Sequence, residues 1–302
     1  MQSETTADVA TAVALGRRDR QEDAVAAQFT EGADTGFAIL SDGMGGHDDG
    51  DLAARIIVSE VFGAISLSDC DGPPEPSGLR DRLRRAVESA NCALRDGVVA
   101  GLGQEGMGGT VVTAIVQDDA LSWISVGDSA LYLYRDGQLR RLNEIHSLAP
   151  QIDLMAARGE IDAETARDHP QRSCLTSALV GAGINRVDCP EAPLELRIGD
   201  IVLLASDGLE VLDEEQIRES VQRHHAAPSK VIARALLRAV EELDAQDQDN
   251  VSVIVIKPHV AQAAFPNAAT GRLSASGFLP DLRKGLVDLR QTVTALLTGQ
   301  SA

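Results

Sequence analysis

Five aspartates stand at the ends of five apolar β-runs, and no other feature of the chain limits its fold as much. GFAILSDG carries Asp42, IVLLASDG carries Asp207, and LSWISVGDS carries Asp128 two residues past its run. DQDNVSVIVI carries Asp249 just before a run, and RRDRQEDAV carries Asp23 at the mouth of another. A carboxylate at the end of a buried strand is costly unless something neutralises it. An Asp-Gly turn accounts for any one of these acids. It accounts poorly for all five. If the strand ends converge, they form a pocket of hard oxygen ligands. Such a pocket suits Mg²⁺ or Mn²⁺ rather than zinc, because no Cys or His stands at ligand spacing. The glycine after Asp42 lets the backbone approach closely, so the Gly43 carbonyl is itself a candidate ligand.

The runs between these acids set the fold class. VATAVALG (9–16), AVAAQF (24–29) and GFAIL (36–40) read as strands, as do TVVTAIVQ (110–117), LSWISV (121–126) and LYLYR (131–135). Asp118-Asp119 and Asp136-Gly137 are hairpin turn signals between the later ones. IVLLAS (201–206) and VSVIVIK (251–257) complete the set, and helical periodicity covers 50–66, 79–100, 151–166 and 228–245. Hairpins with helices between them predict an α+β fold, sheets covered by helices, rather than a parallel βαβ sheet.

Composition excludes some partners. The chain is 44% hydrophobic but only 3% aromatic, so aliphatic side chains must fill the core. Its net charge of −19 makes nucleic acid and membrane surfaces poor partners. The four cysteines show no metal spacing and read as reduced thiols. MQSETTADVA is polar and acidic, unlike a signal peptide, and no apolar run approaches the ~20 residues of a membrane span. The expected location is cytoplasmic.

Past Pro258 the composition shifts. The expected domain is residues 1–258, followed by a linker over 259–280 and an amphipathic helix over 281–302. Leu282, Leu286, Leu289, Val293 and Leu296 put an apolar stripe on one face of that helix. In residues 259–302 basic groups outnumber acids four to two, so the tail could dock on the acidic body, giving a monomer or a tail-mediated dimer.

Glycine-rich phosphate loops do not account for the pattern. GLGQEG (101–106) has a helix before it and a strand after, the reverse of a dinucleotide site, and reads as a turn. SDGMGGHDDG (41–50) fits no EF-hand register. Two divalent ions about 4 Å apart would instead stabilise the attacking and leaving oxygens of a phosphoryl displacement, with a bridging water acidified toward hydroxide. The missing part is a cation for the phosphate, and Arg17, Arg18 and Arg20 stand just before Asp23.

Taken together, RRDRQED, SDGMGGHDDGDLAA, GMGGTVVTAIV, SVGDSALYLYRDGQL, HPQRSCLTSAL, LLASDGLEVL and DNVSVIVI resemble the bacterial form of the metal-dependent serine/threonine protein phosphatases of type 2C, in the family's order. The resemblance implies a four-layer α/β/β/α sandwich with two central antiparallel sheets. It implies hydrolysis of phosphoserine and phosphothreonine in proteins by a metal-bridging hydroxide at a binuclear Mn²⁺ or Mg²⁺ centre. Arg18 resembles the phosphate-binding arginine. Asp23, Asp42, Asp207 and Asp249 look like the metal ligands, with the Gly43 carbonyl, and Glu22 like an acid that holds metal-bound water. Asp128 resembles the ligand of a third, weaker ion, shared with Asp207.

The chain departs from the family pattern at several places. Met44 stands where some members have a His, and His47 reads as a loop residue. Gln21 replaces a common Asn. Ile145, Ser173 and Ser177 alter motifs around a flap at about 145–185, which bears on substrate choice rather than on the metal centre. Three other readings compete: a dedicated regulatory phosphatase for one small partner domain, a non-catalytic pseudophosphatase binding module, and a structural Ca²⁺ protein. Retention of every expected acid opposes the second, and ligands spread over the whole chain oppose the third.

Overall fold

The computed structural model describes residues 5–29, 35–45, 49–68, 76–117 and 119–261. The expected helix at 281–302 and most of the expected linker lie outside these residues, as do His47 and Asp48.

Eleven strands and six α-helices are present among the described residues. The strands are β1 (Thr5–Ala14), β2 (Asp23–Phe29), β3 (Thr35–Met44), β4 (Gly108–Gly109), β5 (Val111–Gln117), β6 (Ala120–Val126), β7 (Ala130–Arg135), β8 (Gln138–Arg141), β9 (Leu194–Glu195), β10 (Ile201–Ala205) and β11 (Val251–Ala261). The helices are α1 (Asp49–Ser68), α2 (Pro76–Val99), α3 (Ala149–Ala157), α4 (Ala163–Arg167), α5 (Glu214–His224) and α6 (Ser229–Leu243). All pairings are antiparallel. One sheet has the order β1-β11-β10-β7-β8 and the other β2-β3-β5-β6-β9, with β4 added beside β3.

Side-chain alternation turns these sheets into four layers. On β3, Phe37 and Ile39 join α1 and α2 in one core, while Ala38 and Leu40 face the other sheet. On β11, Val253 and Val255 pack against α5 and α6, while Ile254 and Ile256 face inward. Successive side chains of a strand point to opposite faces, so a strand covered on both sides reads as an unbroken apolar run. IVLLA of β10 is such a run, with all five residues buried. The expected α/β/β/α sandwich is therefore observed.

Local chemistry explains the differences from expectation. The periodic stretch at 151–166 is two short helices, broken at Gly159 with φ +73°. Helix α5 was not expected, yet Asp213 caps it with a complete capping box to Gln216. Strand β11 runs to Ala261, beyond the expected boundary at 258. Pro258 is tolerated there because the β1–β11 register shifts between Asp8 and Thr6, at the point where Pro258 has no amide hydrogen to offer the ladder.

Candidate metal centre

The two sheets bring the acids to one end of the sandwich. Strand β3 continues through Asp42 and Gly43, and Asp42 lies directly across from Asp23, the first residue of β2. Asp128 follows β6, Asp207 opens a 3₁₀ turn after β10, and Asp249 precedes β11. Arg18, Glu22, Asp42, Gly43, Asp128, Asp207 and Asp249 line one open cleft of about 660 Å³. Asp23 sits beneath it, 9% exposed, accepting a 2.8 Å hydrogen bond from Ser206 Oγ.

The carboxyls are close enough to perturb one another. Burial, then the charges of Asp207 and Asp23, push Asp42 well above the usual carboxylate range. Burial and Asp249 raise Asp207, whose carboxyl is within hydrogen-bond reach of Asp42. Burial pushes Asp128 up to about 7, helped by Asp207 and Glu210 and opposed by Arg141. Asp23 is raised to about 6, again chiefly by burial. Crowded buried carboxylates favour their neutral forms unless a cation joins them. Asp207 Oδ1 is buried without a hydrogen-bond partner among the described residues. That orphan oxygen, the mutual repulsion and an all-oxygen donor set fit a hard divalent cation. Among the described residues no three acid, His or Cys side chains close on one point as a complete cage.

Arg18 Nη2 lies 2.6 Å from Asp249 Oδ2, both side chains being partly exposed at 54% and 38%. Asp249 also accepts from the Asn250 amide at 2.8 Å. Glycines allow the close approach. A Cβ on Gly43 would stand 2.0 Å from the Gly50 carbonyl oxygen, and one on Gly208 2.0 Å from that of Asn250.

Several residues that support the site carried no expectation. Asn250 accepts from the Glu22 amide at 2.8 Å and donates to the carbonyls of Leu15 and Arg20 at 2.8 and 2.9 Å, so one side chain shapes the loop that bears Arg18 and Glu22. Its position beside Asp249, just before a strand, was the available signal. Thr110 Oγ1 accepts from the Asp42 amide at 3.0 Å and meets Ser129 Oγ at 2.7 Å. Arg141 donates to the Asp128 carbonyl, pairs with Glu210 at 2.5 Å, and lies over the Tyr132 ring. These contacts span many residues, and no local motif announces them.

Of the altered flap positions, Ser173 and Ser177 line the cleft, beside Cys174 and Val180. Ser177 is also structural: its Oγ donates to the Arg186 carbonyl at 2.8 Å and accepts from the Arg186 amide at 3.0 Å. His146 is fully buried, its Nδ1 accepting from the Gly127 amide at 3.2 Å, and burial lowers its pKa.

The protein phosphatase 2C family model matches residues 14–243. The chain belongs to the protein phosphatase 2C family. The matched span holds every expected site residue except Asp249, which follows it. The chain is 33% identical over 256 residues to the serine/threonine protein phosphatase PstP of Mycobacterium tuberculosis, covering 78% of this chain and 46% of PstP. It thus spans about half the length of that curated relative. The crystal structure of the M. tuberculosis serine/threonine phosphatase PstP/Ppp superposes with a TM-score of 0.69 at 29% identity, covering 84% of this chain and 100% of the other. A structure of the PstP catalytic domain with two manganese ions gives a TM-score of 0.64 at 28% identity, covering 84% and 99%. No helix among the described residues is long and apolar enough to cross a membrane.

Proposed function

We propose that this chain hydrolyses phosphoserine and phosphothreonine in proteins, using two Mn²⁺ or Mg²⁺ ions held by its strand-end acids. The observation that carries the reading is the convergence of Asp42, Asp128, Asp207 and Asp249 on one cleft with Arg18 at its edge. Asp23, Asp42, Asp207, Asp249 and the Gly43 carbonyl would hold the two ions, with Asp128 and Asp207 available to a weaker third. Among the described residues no three acid, His or Cys side chains close on one point, so water would complete each ion's shell, as is usual for Mg²⁺. When bound, the ions would activate water and neutralise charge on the phosphoryl oxygens.

The chain's own groups supply orientation. Arg18 presents a planar fork to phosphate oxygens. Its partner in the structure, Asp249, is one of the proposed ligands, so binding of cations there would free the guanidinium for substrate. Glu22, whose backbone amide donates to Asn250, lines the cleft and would accept from metal-bound water. The cleft is open, which suits a phosphorylated residue on a protein surface.

The test is hydrolysis of p-nitrophenyl phosphate and of a phosphothreonine peptide. Turnover of both is expected with Mn²⁺, its loss in EDTA and its return when Mn²⁺ is restored. Activity that persists through EDTA would refute the two-ion reading.

A further inference from the structure

We propose that the groove between α5 and α6, on the outer helical layer, docks an acidic amphipathic segment of a partner protein. The proposal goes beyond phosphoester hydrolysis and does not depend on it.

The groove encloses about 380 Å³. Its apolar lining includes Val231, Ala235 and Ala239, one turn apart along α6, with Val231 38% exposed. Arg234 and Arg238 stand on the α6 side, Arg223 and His224 on the α5 side, and Glu242 lies at one end. Lys230 extends the cationic row, because Lys230, Arg234 and Arg238 recur every four residues and share one helix face. None of these three forms an ion pair with a described residue. Among the described residues Arg223 pairs along its own helix, with Glu219 at 3.6 Å, and stays 66% exposed.

Like charges four apart weaken a helix. The rest of the chain would readily supply acids to relieve them, since its net charge is −19. Elsewhere the structure does pair its arginines: Arg135 with Asp200 at 2.6 Å and Arg172 with Asp153 at 2.6 Å. A basic row left open beside small apolar side chains on an acidic body complements a segment with carboxylates flanking an apolar stripe. The small side chains at Ala235 and Ala239 let such a stripe approach the α6 backbone. The charges would steer the encounter and set its register, and apolar contact would hold it.

The experiment measures fluorescence anisotropy of a labelled helical peptide of Glu and Leu repeats with the full chain. The same peptide with Gln for Glu and vesicles of anionic phospholipid serve as competing probes. The proposal expects saturable binding of the Glu peptide, weakened by salt, and little binding of the Gln peptide or the vesicles. Arg234→Glu with Arg238→Glu should weaken it roughly tenfold or more, with an unchanged melting temperature as the folding control. If the double variant misfolds, Arg223→Glu on the neighbouring helix gives the same test. Equal binding of both peptides, binding undiminished in folded charge-reversed variants, or binding to vesicles alone would overturn the proposal.

Discussion

Arg18 and Asp249, 231 residues apart in sequence, meet through a 2.6 Å contact at the rim of the acidic cleft. The pair joins the loop before β2 to the start of β11, and so links one sheet to the other at the point where the proposed chemistry occurs. Because both groups are partly exposed, the pair matters for placement more than for stability.

Arg18→Ala should therefore leave the melting temperature nearly unchanged. A charge-assisted contact to phosphate is worth about 1.5–3 kcal/mol, so kcat/KM should fall roughly 10- to 100-fold. Arg18→Lys should recover only part of it, because a point charge lacks the planar fork. Steady-state kinetics on a phosphothreonine peptide check this, and an unchanged kcat/KM in Arg18→Ala would remove Arg18 from phosphate binding.

Asn250 predicts a different signature. Its side chain accepts from the Glu22 amide and donates to the carbonyls of Leu15 and Arg20, so Asn250→Ala should loosen the loop at three points. A support of this kind typically costs 10- to 100-fold in metal affinity or activity. Titration of Mn²⁺ should show weaker binding while the circular dichroism spectrum is retained. Unaltered Mn²⁺ affinity would show that the loop holds itself.

Gly43→Ala should fail more severely. The added methyl would stand 2.0 Å from the Gly50 carbonyl and 2.7 Å from that of Glu22, both backbone atoms that cannot swing aside. Overpacking against fixed backbone costs about 1–3 kcal/mol or more. Thermal melting should show a clear drop even in EDTA, where the loss cannot be ascribed to metal.

The raised acids predict how metal-free stability depends on pH. Asp128, at about 7, and Asp23, at about 6, bind protons more tightly folded than unfolded. Their stabilising protonation is fully present below the ordinary carboxylate pKa and is lost as pH rises through those values. His146 acts oppositely: its lowered pKa gives stability present above the ordinary histidine value and lost as pH falls. Comparison with Asp128→Asn separates the two. In EDTA the melting advantage of Asp128→Asn over the parent should grow from about pH 4 to about pH 7 and then level off. A constant difference would mean that Asp128 titrates normally.

The apolar runs of β3, β10 and β11 were legible because both faces are buried, and Asp118-Asp119 and Asp136-Gly137 marked the pairing of β5 with β6 and of β7 with β8. The placement of Asp42 opposite Asp23 needed the register, which the flanking strands set. Helix α5 was missed although the capping pair Asp213 and Gln216 was readable, because its exposed face left few apolar positions to show a period. Thr110, Arg141 and Ser206 could not be found from sequence. Each acts through a contact with a residue far along the chain, and a lone Thr, Arg or Ser has no local pattern that separates such a role from an ordinary turn or surface position.

Asp207 gives the most direct test, since it perturbs Asp23, Asp42 and Asp128 and keeps a buried oxygen without a hydrogen-bond partner among the described residues. The measurement is phosphothreonine-peptide hydrolysis in Mn²⁺ by Asp207→Asn, paired with its melting temperature in EDTA. Removing a buried, crowded charge should leave the metal-free protein at least as stable as the parent, while losing a ligand should lower kcat/KM at least about a hundredfold. Hydrolysis at the parent's rate by the folded variant would contradict the account.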